Sequence, residues 1–184
     1  MKRSFKIIAV CITAILSGIN MSYAQDGHRF LYGKPGYAGN ISFAIGKDFI
    51  QGSTVDLLTS HGYSFGNGLY LGMGTGVTTN LYAADMGGVD ALITIPLFAD
   101  VKYSFMNKRV SPYIALKTGI GVLSGDVVFP PCLYVAPSIG VDIGRFSLGI
   151  TYVYERNLVR EFEDAATLLL KIFDKLQFGV TYNF

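Results

Sequence analysis

The chain has 184 residues, with 15 Lys and Arg against 13 Asp and Glu, and this near-balance offers no basic surface for a nucleic acid. It is 51% hydrophobic, yet apolar residues form a long block only at the start, which excludes a helical membrane protein built from blocks of about 20. The 22 Gly, 12 Tyr and 13 Phe suit strands better than helices.

Lys2, Arg3 and Lys6 precede an apolar run over 7–16, and Ser22-Tyr23-Ala24 places small residues at the two positions a signal peptidase reads. The pattern predicts a signal peptide over 1–24, cleaved between Ala24 and Gln25, and a mature domain over 25–184. Cys11 lies too early, behind Val10, for a lipoprotein site. Cleavage removes the chain's basic excess. It also leaves Cys132 as the sole cysteine, so no intrachain disulfide is expected.

Eight alternating segments follow, at 37–47, 54–65, 69–78, 91–105, 110–122, 133–143, 146–155 and 168–184. The connections at 66–68, 107–108 and 144–145 are short, those at 79–90, 123–132 and 156–167 are long, and 48–53 is intermediate. Such alternation gathers the long loops at one end of an antiparallel, up-and-down barrel. Pro96 and Pro137 fall inside strands; with no free edge to receive them, β-bulges are expected at both.

Parity sets the facing. In the fifth segment Val110, Ile114, Leu116, Ile120 and Val122 share one face, and Ser111, Lys117, Gly119 and Gly121 share the other. In the seventh, Phe146, Leu148, Ile150, Tyr152 and Tyr154 oppose Ser147, Gly149, Thr151 and Glu155. In the third, Leu69, Leu71, Met73 and Val77 oppose Gly72, Gly74 and Gly76. The second face carries glycine rather than abundant charge, so it makes a poor water-exposed exterior. The apolar face is therefore read as lipid-facing and the other as the lumen.

Tyr63, Phe65, Tyr103, Phe105, Phe146, Tyr182 and Phe184 all lie beside short turns or in the last strand, and they predict an aromatic ring at one membrane interface. The final strand alternates Leu176, Phe178, Val180, Tyr182 and Phe184 with Gln177, Gly179, Thr181 and Asn183. With 36–39, 59–63, 95–101 and 139–141, it resembles the small outer-membrane β-barrel proteins of the OmpA/OmpX-like superfamily of Gram-negative bacteria. The resemblance implies a monomer in the cell outer membrane, amid bilayer lipid and lipopolysaccharide. It also implies recognition of the strand ending at Phe184 by the barrel-assembly machinery. Architecture is well specified by these motifs and activity is not.

Motifs for chemistry are sparse. Gly72-Met73-Gly74-Thr75-Gly76 lacks the following helix of a dinucleotide loop; its glycines are expected to make room for inward Tyr70, Tyr113 and Tyr134. The mature region holds only His28 and His61. By parity His61 faces outward while Ser60 and Ser64 face in, so no Ser–His pair can share a proton. A hydrogen bond to Thr59 across neighbouring strands, a bulge or a partner barrel could accommodate a lipid-facing His. Asp56, Asp100, Lys102, Lys117, Asp142 and Glu155 fall inward with both signs, which predicts a lumen plugged by ion pairs rather than an ion path. No residue is assigned to catalysis, to a cofactor or to a metal.

The functional expectation is a plugged scaffold, structural or acting in recognition and adhesion through loops 79–90, 123–132 and 156–167. Its external partner is unknown. The middle loop carries an apolar tip, 127–131, which either folds over the mouth or makes an adhesive contact. Two alternatives stand beside this: a lipid-modifying enzyme of the outer membrane (acyl hydrolase or acyltransferase), and a secreted, soluble, lipocalin-like ligand carrier.

Overall fold

A computed structural model of the chain describes residues 31–32, 35–48, 52–83, 89–124, 132–160 and 168–184. Eight strands make one closed antiparallel barrel: β1 Gly36–Asp48, β2 Gly52–Ser64, β3 Leu69–Ala83, β4 Val89–Ser104, β5 Val110–Ser124, β6 Cys132–Ile143, β7 Phe146–Arg160 and β8 Leu168–Asn183. Each pairs with its sequence neighbour. Closure comes from β1 and β8, in register from Asn40↔Asn183 to Asp48↔Lys175. Past the last strand, the Gly39 and Phe184 amides exchange bonds with each other's carbonyls at 2.8 and 2.9 Å. Closure leaves no strand edge to satisfy, which a barrel wall in lipid requires.

The strands run longer than the sequence pattern suggests. β3 continues five residues past the expected end at 78, β4 begins at 89, and β7 reaches 160. The stretches 79–83 and 156–160, expected as loops, are paired by backbone with β4 and β8. Ladder bonds are indifferent to side-chain polarity once a neighbouring strand is present. The loops shrink accordingly, to 84–88, 125–131 and 161–167, all outside the described residues. At the other end the turn at 107–108 is wider than expected, spanning 105–109, and 144–145 is as read. Gly144 there adopts φ +64°, a left-handed conformation that glycine tolerates without cost.

The expected bulges are absent. Across β3 and β4 the pairs Thr75↔Leu97 and Thr78↔Thr94 keep one register on both sides of Pro96, and Pro96 pairs with Gly121 of β5. Pro137 behaves likewise, paired with Leu116 of β5 and leaving only a gap in the β6–β7 ladder. In a strand, one residue's N–H and C=O point to a single neighbour. Each proline therefore removes bonds on one side only, and the intact ladder on the other side carries the register through.

Side-chain facing follows the parity reading. Outward positions are apolar and exposed, as at Met73 (66%), Leu97 (53%) and Ile150. Inward positions hold Tyr70, Phe98, Tyr113 and Tyr134, all buried, with a crowd of Ser, Thr, Asn and charged groups. The inward glycines make this possible. A Cβ at Gly72 would meet the Tyr70 ring, one at Gly74 the Phe98 ring at 2.5 Å, and one at Gly149 the Tyr113 hydroxyl. We predict that Gly149→Ala lowers stability by about 1–3 kcal/mol through overpacking. Tyr113→Phe, which deletes the colliding oxygen, should recover most of that loss. Urea midpoints of the single and double variants check this; additive losses would refute the contact.

Candidate functional site

Three layers cross the lumen. The first lies at the short-turn end, where β2, β4, β6 and β8 finish. Here the Lys102 ammonium donates to Asp142 Oδ1 at 2.6 Å and to Ser147 Oγ at 2.8 Å. Ser104 and Ser147 hydroxyls also donate to the Asp142 carboxylate, and Asn183 Nδ2 donates to Ser147 Oγ at 2.8 Å. The Lys102 Nζ stands 4.3 Å from the centre of the Tyr113 ring. Beside this network Asn40 Nδ2 donates to Asp100 Oδ2, and Ser60 bonds the Tyr70 hydroxyl at 2.7 Å. The ion pair is buried but well solvated by protein dipoles, the condition under which a buried charge pair survives.

The second layer is apolar: Leu58, Phe98, Tyr134, Ala136 and Val153 pack together, with the Phe98 and Tyr134 ring centres 5.9 Å apart. A cavity of about 50 Å³ lies among Asn40, Asp100, Lys102, Lys117, Tyr113 and Tyr134. That is room for little more than water. The third layer lies toward the long-loop end. Lys175 Nζ donates to Glu155 Oε2 at 2.9 Å, and Gln177 Nε2 donates to Thr54 Oγ1 at 3.1 Å. Cys132 is buried there as a free thiol against the Gly121 carbonyl.

All six charged residues expected inward are inward, but the sequence did not show which meet. Lys102 and Asp142 stand 40 positions apart and become partners only through the registers of β4 and β6 on the strand between them, β5. Lys175 was not singled out, although its place between outward Asp174 and Leu176 held the signal. The short-turn mouth is narrowed further by a strap. Leu31 is buried with Ala38 and Tyr70, its carbonyl accepts from the Gly68 amide at 2.9 Å, and the Tyr32 hydroxyl donates to the Ser104 carbonyl at 2.6 Å.

The histidine faces outward, away from Ser60 and Ser64, as parity required. Its ring closes a polar chain on the lipid side. The Tyr37 hydroxyl bonds Nδ1 at 2.6 Å, and Nε2 bonds Thr59 Oγ1 at 3.2 Å. Thr59 donates its own proton to the Asn40 carbonyl at 3.1 Å, so Nε2 must be the donor toward Thr59. Thr59 lies two positions away on the same strand, not across a neighbour; the cross-strand partner is Tyr37. No bulge is needed. With its proton directed at Thr59, the imidazole cannot take a proton from that hydroxyl. His28 lies outside the described residues.

The aromatic ring at the short-turn end is present and continuous on one side. Phe146 meets Tyr182, Tyr182 meets Phe184, Phe184 meets His61 edge-on at 5.9 Å, and His61 stacks on Tyr37. Tyr63–Phe65 and Tyr103–Phe105 form T-shaped pairs beside it. No cluster of three or more His, Cys, Asp and Glu that could hold a metal occurs among the described residues.

No protein-family model matches the sequence. No curated protein matches it either. Solved structures do match in fold. The outer membrane enzyme PagL aligns with a TM-score of 0.58 at 15% identity, over 78% of this chain and 98% of that one. Neisserial surface protein A aligns with a TM-score of 0.53 at 16% identity, over 83% and 100%.

Proposed function

We propose that this small β-barrel of the outer membrane acts at the cell surface, its loops forming a recognition or adhesion surface on a filled scaffold. The observation that carries the reading is the filled lumen. An apolar layer separates two polar layers, so the wall's interior holds the scaffold rigid and leaves specificity to the loops. The loops concerned are those between β3 and β4, β5 and β6, and β7 and β8, at 84–88, 125–131 and 161–167. The soluble-carrier alternative fails on the exterior, where large apolar side chains stand exposed around the barrel.

The test is surface access on intact cells. Added protease is expected to cut within 161–167 from outside. Cutting only after the outer membrane is opened would invert the barrel and remove the recognition reading. In the same reading 1–24 is a cleaved signal peptide, which N-terminal sequencing starting at Gln25 would show. The strand ending at Phe184 is then what the barrel-assembly machinery takes up, and Phe184→Asp should leave little heat-modifiable protein.

A second reading is kept because PagL, of similar fold, is an enzyme. A lipid-modifying activity would use the lipid-facing hydroxyl–imidazole pair. The proton order at Thr59 and His61 argues against it. Lipid A and phospholipid acyl composition should be the same with and without the protein; an acyl change abolished by His61→Ala would establish the enzyme instead.

A further inference from the structure

A groove of about 700 Å³ crosses the outside of the wall over β2, β1, β8 and β7. One side of it is a single register row. Ile45 stands opposite both Val55 and Phe178, and Phe178 stands opposite Ile150. The other side is the next outward row, in which Lys47 stands opposite Ser53 and Leu176. The walls are apolar apart from Lys47 and Ser53, and Ile45, Phe178, Ile150 and Leu176 are all exposed.

The course of these rows sets what the groove can hold. Followed partner by partner from Gly36 through all eight strands, the register returns to β1 at Gly46, ten positions nearer the long-loop end. At roughly 2.5 Å per residue along the membrane normal, a row climbs about 25 Å per circuit, hence about 9 Å over the three steps from β7 to β2.

Ile150 lies four positions from Phe146 of the aromatic ring, about 10 Å into the membrane. Lys47 lies ten positions from Tyr37 of the same ring, about 25 Å away, which is the height of an apolar belt. The groove therefore starts near mid-bilayer and rises through one leaflet to the boundary at the long-loop end.

Lys47 is the one charge lining it. Among residues whose side chains are described, it is also the one cation at an outward strand position. No ion pair engages it among the described residues. Asp48, its neighbour in sequence, is buried on the lumen side opposite Lys175. Asp174, the one outward acid of the same set, accepts from the Tyr152 hydroxyl on the β7 side of β8 and does not line the groove. Ser53, directly opposite Lys47, places a hydroxyl beside the ammonium, with the two Cβ atoms about 5 Å apart. An ammonium and a hydroxyl at the top of an apolar trough match a phosphate above an acyl chain.

We propose that this groove binds one lipid A molecule of the outer leaflet, an acyl chain lying in the trough and a phosphate held by Lys47 and Ser53. The choice of lipid rests on the reading that the long loops face the cell surface, because that leaflet carries lipopolysaccharide. A lysine that merely snorkelled to the boundary would need no trough beneath it. The lipid is held there and not cleaved. His61 stands opposite Gly39, eight positions below Lys47 on β1, about 20 Å from the phosphate. The sequence hides the site because a lysine at a strand end is ordinary, and the trough beneath it appears only when β7 and β8 close against β1.

The test uses the full mature barrel refolded in a zwitterionic detergent, with native mass spectrometry of the lipid retained on the folded protein. The expected result is saturable retention of one lipid A. Lipid A stripped of its phosphates, and phosphatidylglycerol, should each be held about tenfold more weakly. Lys47→Gln should weaken lipid A about tenfold and leave the dephosphorylated form unchanged. Ile45→Trp, which fills the trough beside an intact Lys47, should weaken both forms. Both substitutions fall at exposed positions, and heat-modifiable mobility confirms that each variant is folded. Dephosphorylated lipid A or phosphatidylglycerol held as tightly as lipid A would overturn the proposal. So would lipid A retention untouched by Lys47→Gln or by Ile45→Trp, or no retained lipid at all. Binding in micelles is blind to orientation, so its failure leaves the reading of the loops standing. An inverted protease result on cells would leave the binding measurement intact and overturn the assignment to the outer leaflet.

Discussion

Replacing Asp142 by Ala is expected to lower the stability of the barrel by about 3–5 kcal/mol, the cost of leaving a buried ion without its partner. Lys102 is buried, and Asp142 supplies its shortest contact at 2.6 Å. Removing the carboxylate also strips an acceptor from Ser104 and Ser147. Much of the loss should come from the stranded ammonium rather than from the pair's own worth. The double variant Lys102→Met, Asp142→Leu should therefore recover most of it, since apolar replacement of a whole buried pair is often close to neutral. Urea unfolding in vesicles measures both. A loss below 1 kcal/mol in Asp142→Ala, or a double variant weaker than the single, would show that the network does not hold the lumen.

The second large effect concerns the outside of the wall. Leu97 is 53% exposed near the middle of β4, six residues from the interface residue Tyr103. Strands tilted at about 40° rise roughly 2.5 Å per residue along the membrane normal, which puts Leu97 near mid-bilayer. Leu97→Arg is expected to cost about 2–4 kcal/mol, and Met106→Arg, in the short turn, about 0–1 kcal/mol. Depth dependence is the diagnostic. Water on this face would make the two arginines equivalent and cheap, so equal unfolding midpoints would count against lipid.

Much of this was legible because a barrel strand is a period-two object. Tyr63, Phe65, Tyr103, Phe105 and Phe146 announced the interface by their distance from turns, and the inward place of Asp56, Asp100, Lys102, Asp142 and Glu155 followed from counting. Counting along a strand says nothing about shear between strands. So Lys102–Asp142, Tyr37–His61 and the facing of Asp56 toward Lys175 required the register. The bulges expected at Pro96 and Pro137 were wrong for a related reason: a missing donor was treated as a defect of the whole sheet, when it touches one neighbour only. The strand ends 79–83 and 156–160 were missed because each opens on polar residues, Thr79-Asn80 and Arg156-Asn157, which look like the edge of the apolar belt, while the strands continue paired beyond it.

The central claim is that the apolar face meets lipid. It is tested most directly by single nitroxides at Met73 and Ile150, in a Cys132→Ser background, with the barrel in vesicles. Both residues point outward from different sides of the wall. Collision with oxygen should be frequent at both, and collision with a water-soluble nickel chelate should be rare. Frequent collision with the chelate at both positions would place this face in water and contradict the account.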